Sequence, residues 1–139
     1  MNFFTSLFSL AKSRNADIKS EIDLPGAITA HVNWKARLQN YVDGVSGEKL
    51  DPMHVCRDDQ CDLGKWIHGS GTDRFYADES FRTLRADHAQ FHYVAANVVR
   101  YMLDNDRAGA EALLRGEYTK VSHHMMGMLN ELNMQEGSA

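Results

Sequence analysis

Two histidines four residues apart, His88 and His92 in LRADHAQFH, carry the most direct chemical signal in the chain. On a helix both rings leave the same face one turn apart and can chelate one metal ion. Taken alone, the pair reads more readily as an exposed helix edge than as a chelate. His88, however, lies in the seam Phe81, Leu84, His88, Phe91, Ala95, Val98, Met102, which alternates steps of three and four without a slip. Neighbouring imidazoles among apolar side chains are costly to bury unless each finds a partner, and a metal takes both as neutral ligands.

Two further residues fit the same chemistry. His31, in AHVNWK, stands on the stripe Ile28, His31, Leu38, Tyr41, Val42, Val45; alone, such a histidine is more often a satisfied core residue than a ligand. Cys61, in RDDQCDLGKWIHG, begins a glycine-punctuated turn in which Leu63 and Trp66 can anchor in a core while Gly64 allows close backbone approach. Its plainer reading is a small buried apolar residue. Cys56 lacks this frame and is read as a bystander. Together, His31, Cys61, His88 and His92 supply three imidazoles and one thiolate, a tetrahedral complement for Zn²⁺ at about 2.0 to 2.3 Å. Mixed nitrogen and sulfur donors favour zinc, with copper the alternative by raw affinity. Asp62, Asp58 or Asp59 can orient the imidazoles from outside, and the sequence does not choose among them. His54, His68, His123 and His124 read as surface or outer-layer residues.

The elements that position these donors are helical. A first helix is expected over about 25 to 43, with Pro25 in its first turn and Gly44 and Gly47 ending it. Residues 48 to 77 should form short helical turns and loops, with Asp51 and Pro52 as a cap and first turn. A long helix follows over about 78 to 104, and after Asp104, Asn105 and Asp106 a last one over about 107 to 135, with the stripe Ala110, Leu114, Tyr118, Val121, Met125, Met128, Leu132. Three long amphipathic helices and no strand alternation give an all-α fold: an antiparallel, four-helix-type bundle with a short insertion carrying the cysteine motif.

At 139 residues, one domain is expected, divided into an N-terminal apolar segment and linker (1–23), the bundle (24–135) and a tail (136–139). A net charge of −4 without a basic stripe argues against a nucleic-acid partner. No stretch approaches the ~20 apolar residues of a membrane span. The start, MNFFTSLFSLAKSR, has its basic residues after the apolar stretch and reads as retained, so a cytoplasmic location is expected. Phe3, Phe4, Leu7 and Phe8 should pack on a second subunit, giving a homodimer, or on a partner.

AHVNWKARLQNYVDG, RDDQCDLGKWIHG, LRADHAQFH and LLRGEY together resemble the chemoreceptor zinc-binding (CZB) family. Its pattern is a histidine shortly before Trp-Lys on the first helix, a cysteine in C-x-[LF]-G-x-W, and two histidines four apart on a later helix. His31, Cys61, His88 and His92 match it in order, and the resemblance spans about 24 to 133. It implies a zinc domain that tunes a signalling partner, a chemoreceptor or a diguanylate cyclase. Family members are often appended to such an output domain, whereas this sequence resembles one standing alone.

Other functions fit less well. A di-iron bundle needs helix-borne E-x-x-H pairs, and the residues three after Glu79, Glu111 and Glu117 are Arg82, Leu114 and Lys120. A bis-histidine haem bundle stays open, as does a zinc of purely structural role. Four protein ligands leave no open position for a zinc-bound water, so no enzymatic activity is expected.

Overall fold

The computed structural model describes residues 21–138, with side chains through 133, and every regular element among them is helical. In chain order these are α1 (Leu24–Val42), α2 (Pro52–Val55), α3 (Asp62–Trp66), α4 (Thr72–Phe75), α5 (Glu79–Leu103), α6 (Arg107–Leu113) and α7 (Thr119–Ser138). The all-α fold expected from the sequence is the one observed. The long helices α1, α5 and α6–α7 pack against one another. Residues 1–20 lie outside the described residues, and the expectation for Phe3, Phe4, Leu7 and Phe8 lies there with them. Among the described residues no helix is long and apolar enough to cross a membrane.

Local chemistry sets the boundaries. Asp23 caps α1 by accepting the Gly26 amide at 3.1 Å, with Pro25 in the first turn. Gly44, at φ +75°, ends it: the Gly44 amide donates to the Tyr41 carbonyl and that of Val45 to the Asn40 carbonyl, the paired bonds of a left-handed helix stop. Val45, expected on the buried stripe, therefore lies beyond the helix and is 74% exposed. Asn105, at φ +60°, stops α5 in the same way, and Asp106 then caps α6 through the Gly109 amide at 2.8 Å. The chain so turns from α5 into α6 within three residues.

The last helix departs from the plain α-helix expected over 107 to 135. Between α6 and α7, Leu114–Tyr118 winds as a π-turn, and the Thr119 hydroxyl donates to the Leu114 carbonyl at 2.8 Å. A second wide turn, Ile67–Gly71, is broken by Gly69 at φ −108°, ψ −116°.

The core is continuous. Leu38 and Val42 of α1 meet Leu84, Phe91, Ala95 and Val98 of α5 and Leu114, Tyr118, Met125 and Met128 of the last helical stretch, all buried. Each large side chain so buried contributes roughly 1.5–3 kcal/mol of transfer free energy. The short elements between α1 and α5 attach through fewer anchors. Leu63 and Ile67 are fully buried, and Trp66, Phe75 and Phe81 form an aromatic cluster with ring centroids 5.9–6.4 Å apart. Glu21 ties this region down further: its carboxylate accepts the Trp66 indole N–H at 3.1 Å and the Ser70 hydroxyl at 2.9 Å, and it pairs with Arg74.

Candidate metal centre

His31 projects from α1, and His88 and His92 project one turn apart from α5. All three rings are buried, at 2%, 0% and 4% exposure. Cys61 stands at the N-cap of α3, where its sulfur accepts the Gly64 amide at 3.3 Å. Fold and sequence thus bring the four expected residues to one point, with a ligand atom of each within 4.8 Å of all the others. Cys61 Sγ lies 3.3 Å from His88 Nε2 and 3.8 Å from the Nε2 atoms of His31 and His92, while the Nε2 atoms of His88 and His31 are 3.2 Å apart. A tetrahedral zinc with ligands at about 2.0 and 2.3 Å sets its nitrogens roughly 3.3 Å apart and nitrogen from sulfur roughly 3.5 Å. The four separations above lie within about 0.3 Å of the corresponding edges of such a tetrahedron.

The opposite ring nitrogens explain why Nε2 faces inward. His31 donates Nδ1–H to the Ala27 carbonyl at 2.7 Å, and His92 donates Nδ1–H to the Val55 carbonyl at 3.0 Å. Those bonds fix tautomer and ring plane together. His88 differs: its Nδ1 is buried, finds no hydrogen-bond partner among the described residues, and sits 3.8 Å from Asp58 Oδ2. Phe91 seals the inner side, its ring 5.3 Å from that of His31 and 5.5 Å from that of His92.

The electrostatics suit a metal. Burial depresses the pKa of all three imidazoles, that of His88 to about 2, where the neighbouring His92 and His31 rings add to the effect; for His31 and His92 the backbone carbonyls partly oppose it. The rings are therefore neutral, as ligands must be. Burial raises the Cys61 thiol, against the Gly64 amide, so a metal held there would have to displace the sulfur's proton. The three rings pack edge to face with centroids 4.7–5.7 Å apart, which leaves no flat slot for a porphyrin between axial rings. No carboxylate joins the cluster among the described residues, whereas a di-iron centre draws on several.

On the outer side a cavity of about 260 Å³, with walls that include Trp34, Arg37 and Gln60, reaches Cys61 and His92 but not His31 or His88. Cys56 stands apart, its thiol donating to the Met53 carbonyl at 3.3 Å. His54 borders the cavity, His124 pairs with Asp87, and His123 is exposed. The three candidate aspartates separate as well. Asp59 pairs with Arg57, Asp62 is exposed, and Asp58 alone faces a ligand ring while also accepting from His68 Nε2 at 3.0 Å. The Ala27 and Val55 carbonyls had no sequence signal, because any residue supplies a carbonyl.

Comparison with known families agrees with this geometry: residues 31–99, a stretch containing all four donors, match the chemoreceptor zinc-binding domain, CZB. The chain belongs to the CZB family, a family of zinc-binding domains, and its His-Cys-His-His cluster is suited to that ion. No curated protein and no solved structure matches the chain.

Proposed function

We propose that the chain is a non-enzymatic regulatory module that binds one zinc ion through His31, Cys61, His88 and His92, and whose metal state is read by a signalling partner of the chemoreceptor or diguanylate cyclase type. The observation that supports it best is the convergence of three buried Nε2 atoms and the half-buried Cys61 Sγ, with no carboxylate oxygen in the cluster. Zinc bound there draws on neutral imidazoles and a thiolate, and with four protein ligands the site keeps no position for a reacting water. The module acts in the cytoplasm and as a homodimer in this reading.

Metal analysis of the chain purified without chelator or added metal tests the centre, with one zinc per chain expected. Regulation is tested by measuring partner output, methyl-accepting or cyclase signalling, with zinc loaded and removed. A chain without zinc, or output indifferent to it, counts against the reading. A structural zinc is the second reading, favoured by the burial of His31, His88 and His92 among core residues of α1 and α5. The two part on whether the helices survive metal removal.

A further inference from the structure

We infer that Asp58, anchored by His68, is the positioning residue that holds His88 in its ligating tautomer and balances the charge of the loaded centre. The inference rests on the zinc-centre reading above. Its starting point is an asymmetry among the three imidazoles: His31 and His92 each spend Nδ1–H on a backbone carbonyl, whereas the Nδ1 of the most buried ring, His88, is left without a hydrogen bond among the described residues. When Nε2 gives its lone pair to a metal, Nδ1 must carry the ring's proton, and a buried N–H without an acceptor is costly. The acceptor at hand is Asp58 Oδ2, 3.8 Å away. That distance exceeds a hydrogen bond by roughly 1 Å, within the reach of a side-chain adjustment.

Two features place the carboxylate there for this purpose. His68 Nε2 lies 3.0 Å from the same Oδ2 that faces His88 Nδ1, so the carboxylate oxygen is held between the two rings. The main chain of Asp58 is pressed onto the cysteine turn: a Cβ on Gly64 would lie 1.6 Å from the Asp58 carbonyl oxygen. Asp58 and Cys61 are thus parts of one packed unit, and a turn that brings the sulfur to the metal brings the carboxylate to His88. Zinc with three neutral imidazoles and one thiolate retains roughly one positive charge in a buried place. The Asp58 carboxylate offsets it.

The test compares Asp58→Asn with Asp58→Leu, two side chains of similar size of which only the first keeps an oxygen acceptor. Zinc affinity is measured by competition with a chromophoric chelator, and the His88 ring is followed by ¹⁵N-correlated spectra of the zinc-loaded chain. Asp58→Leu should weaken zinc about 10–100-fold, and shift the His88 Nδ1–H resonance while leaving those of His31 and His92 in place. Asp58→Asn should retain that resonance and fall between wild type and Asp58→Leu, as should His68→Ala. Equal affinities for Asp58→Asn and Asp58→Leu, or a His88 resonance indifferent to both, would overturn the inference. Absence of zinc from the wild-type chain would instead remove the centre itself, so the two failures are distinguishable.

Discussion

Three of the four donors stand on long helices and one on a turn. His31 and the pair His88 and His92 project from α1 and α5, of 19 and 25 residues, whereas Cys61 caps the five-residue α3. Of the three on helices, His31 and His92 touch the Phe91 ring and are tied to backbone carbonyls, and His88 is fully buried. The sulfur depends instead on a few local devices: one amide bond from Gly64, the anchors Leu63 and Trp66, and the clasp of Trp66 to Glu21. A site divided in this way has a preorganised half, whose geometry is settled when the core folds, and a conditional half, whose place is held by few contacts. Motion between metal states, in the reading proposed above, is expected in the second half.

The sharpest way to break the comparison is to attack the helical half through its core. Phe91→Ala removes the ring that touches both His31 and His92 and packs on Tyr118 at 5.3 Å. We expect a loss of about 3–5 kcal/mol in denaturant unfolding; a change below about 1 kcal/mol would show that the helices do not owe their rigidity to this packing. Next comes His88→Ala. Sharing the roughly 10–16 kcal/mol of a structural zinc among four ligands makes each worth about 3 kcal/mol, so zinc affinity should fall on the order of 100-fold by chelator competition. Cys56→Ala and His54→Ala, outside the cluster, should leave affinity unchanged, and an equal loss at Cys56 would mean that the wrong sulfur has been assigned.

Gly64→Ala probes the conditional half alone. Its Cβ would overlap the Asp58 carbonyl at 1.6 Å, so the turn must open, at about 1–3 kcal/mol. Weaker zinc binding with far-UV circular dichroism unchanged is the expected result; loss of helicity would show that the turn and the helices are one cooperative unit. The smallest structural effect should follow metal removal or mild oxidation of Cys61. Sulfenic or sulfinic acid no longer supplies the thiolate, so zinc should leave while α1 and α5 keep their helicity, and amide exchange should accelerate around Leu63 to Trp66. Melting of the bundle as zinc departs would favour the structural reading.

How legible all this was depended on which half carried the signal. The long helices were plain in the sequence because period and caps act locally: Phe81 to Met102 marks α5, and Asp23, Pro25 and Gly44 bracket α1. The four residues of the cluster were legible for the same reason, since a histidine on an apolar face and a cysteine before Leu63-Gly64 are local oddities. What stayed out of reach was three-dimensional. Choosing Asp58 over Asp59 and Asp62 required knowing that Arg57 takes Asp59 and that the turn directs Asp58 toward α5. The role of Glu21 depended on partners 45 to 53 residues away. Val45 was placed on the stripe by periodicity, although the left-handed Gly44 had already ended the helix.

The π-turn at Leu114–Tyr118 acts as a phase correction. The buried positions Ala110, Leu114 and Tyr118 are spaced by two successive steps of four, and eight residues of α-helix overshoot two full turns by about 80°. The wider winding absorbs that overshoot, so that Ala110 upstream and Met125, Met128 and Leu132 downstream face the same core. The chain therefore carries, in effect, one inserted residue near Gly116. Deleting it to give an unbroken α-helix would rotate everything beyond by about 100°, turning the methionine face away from α1 and α5 without changing a single side chain in it.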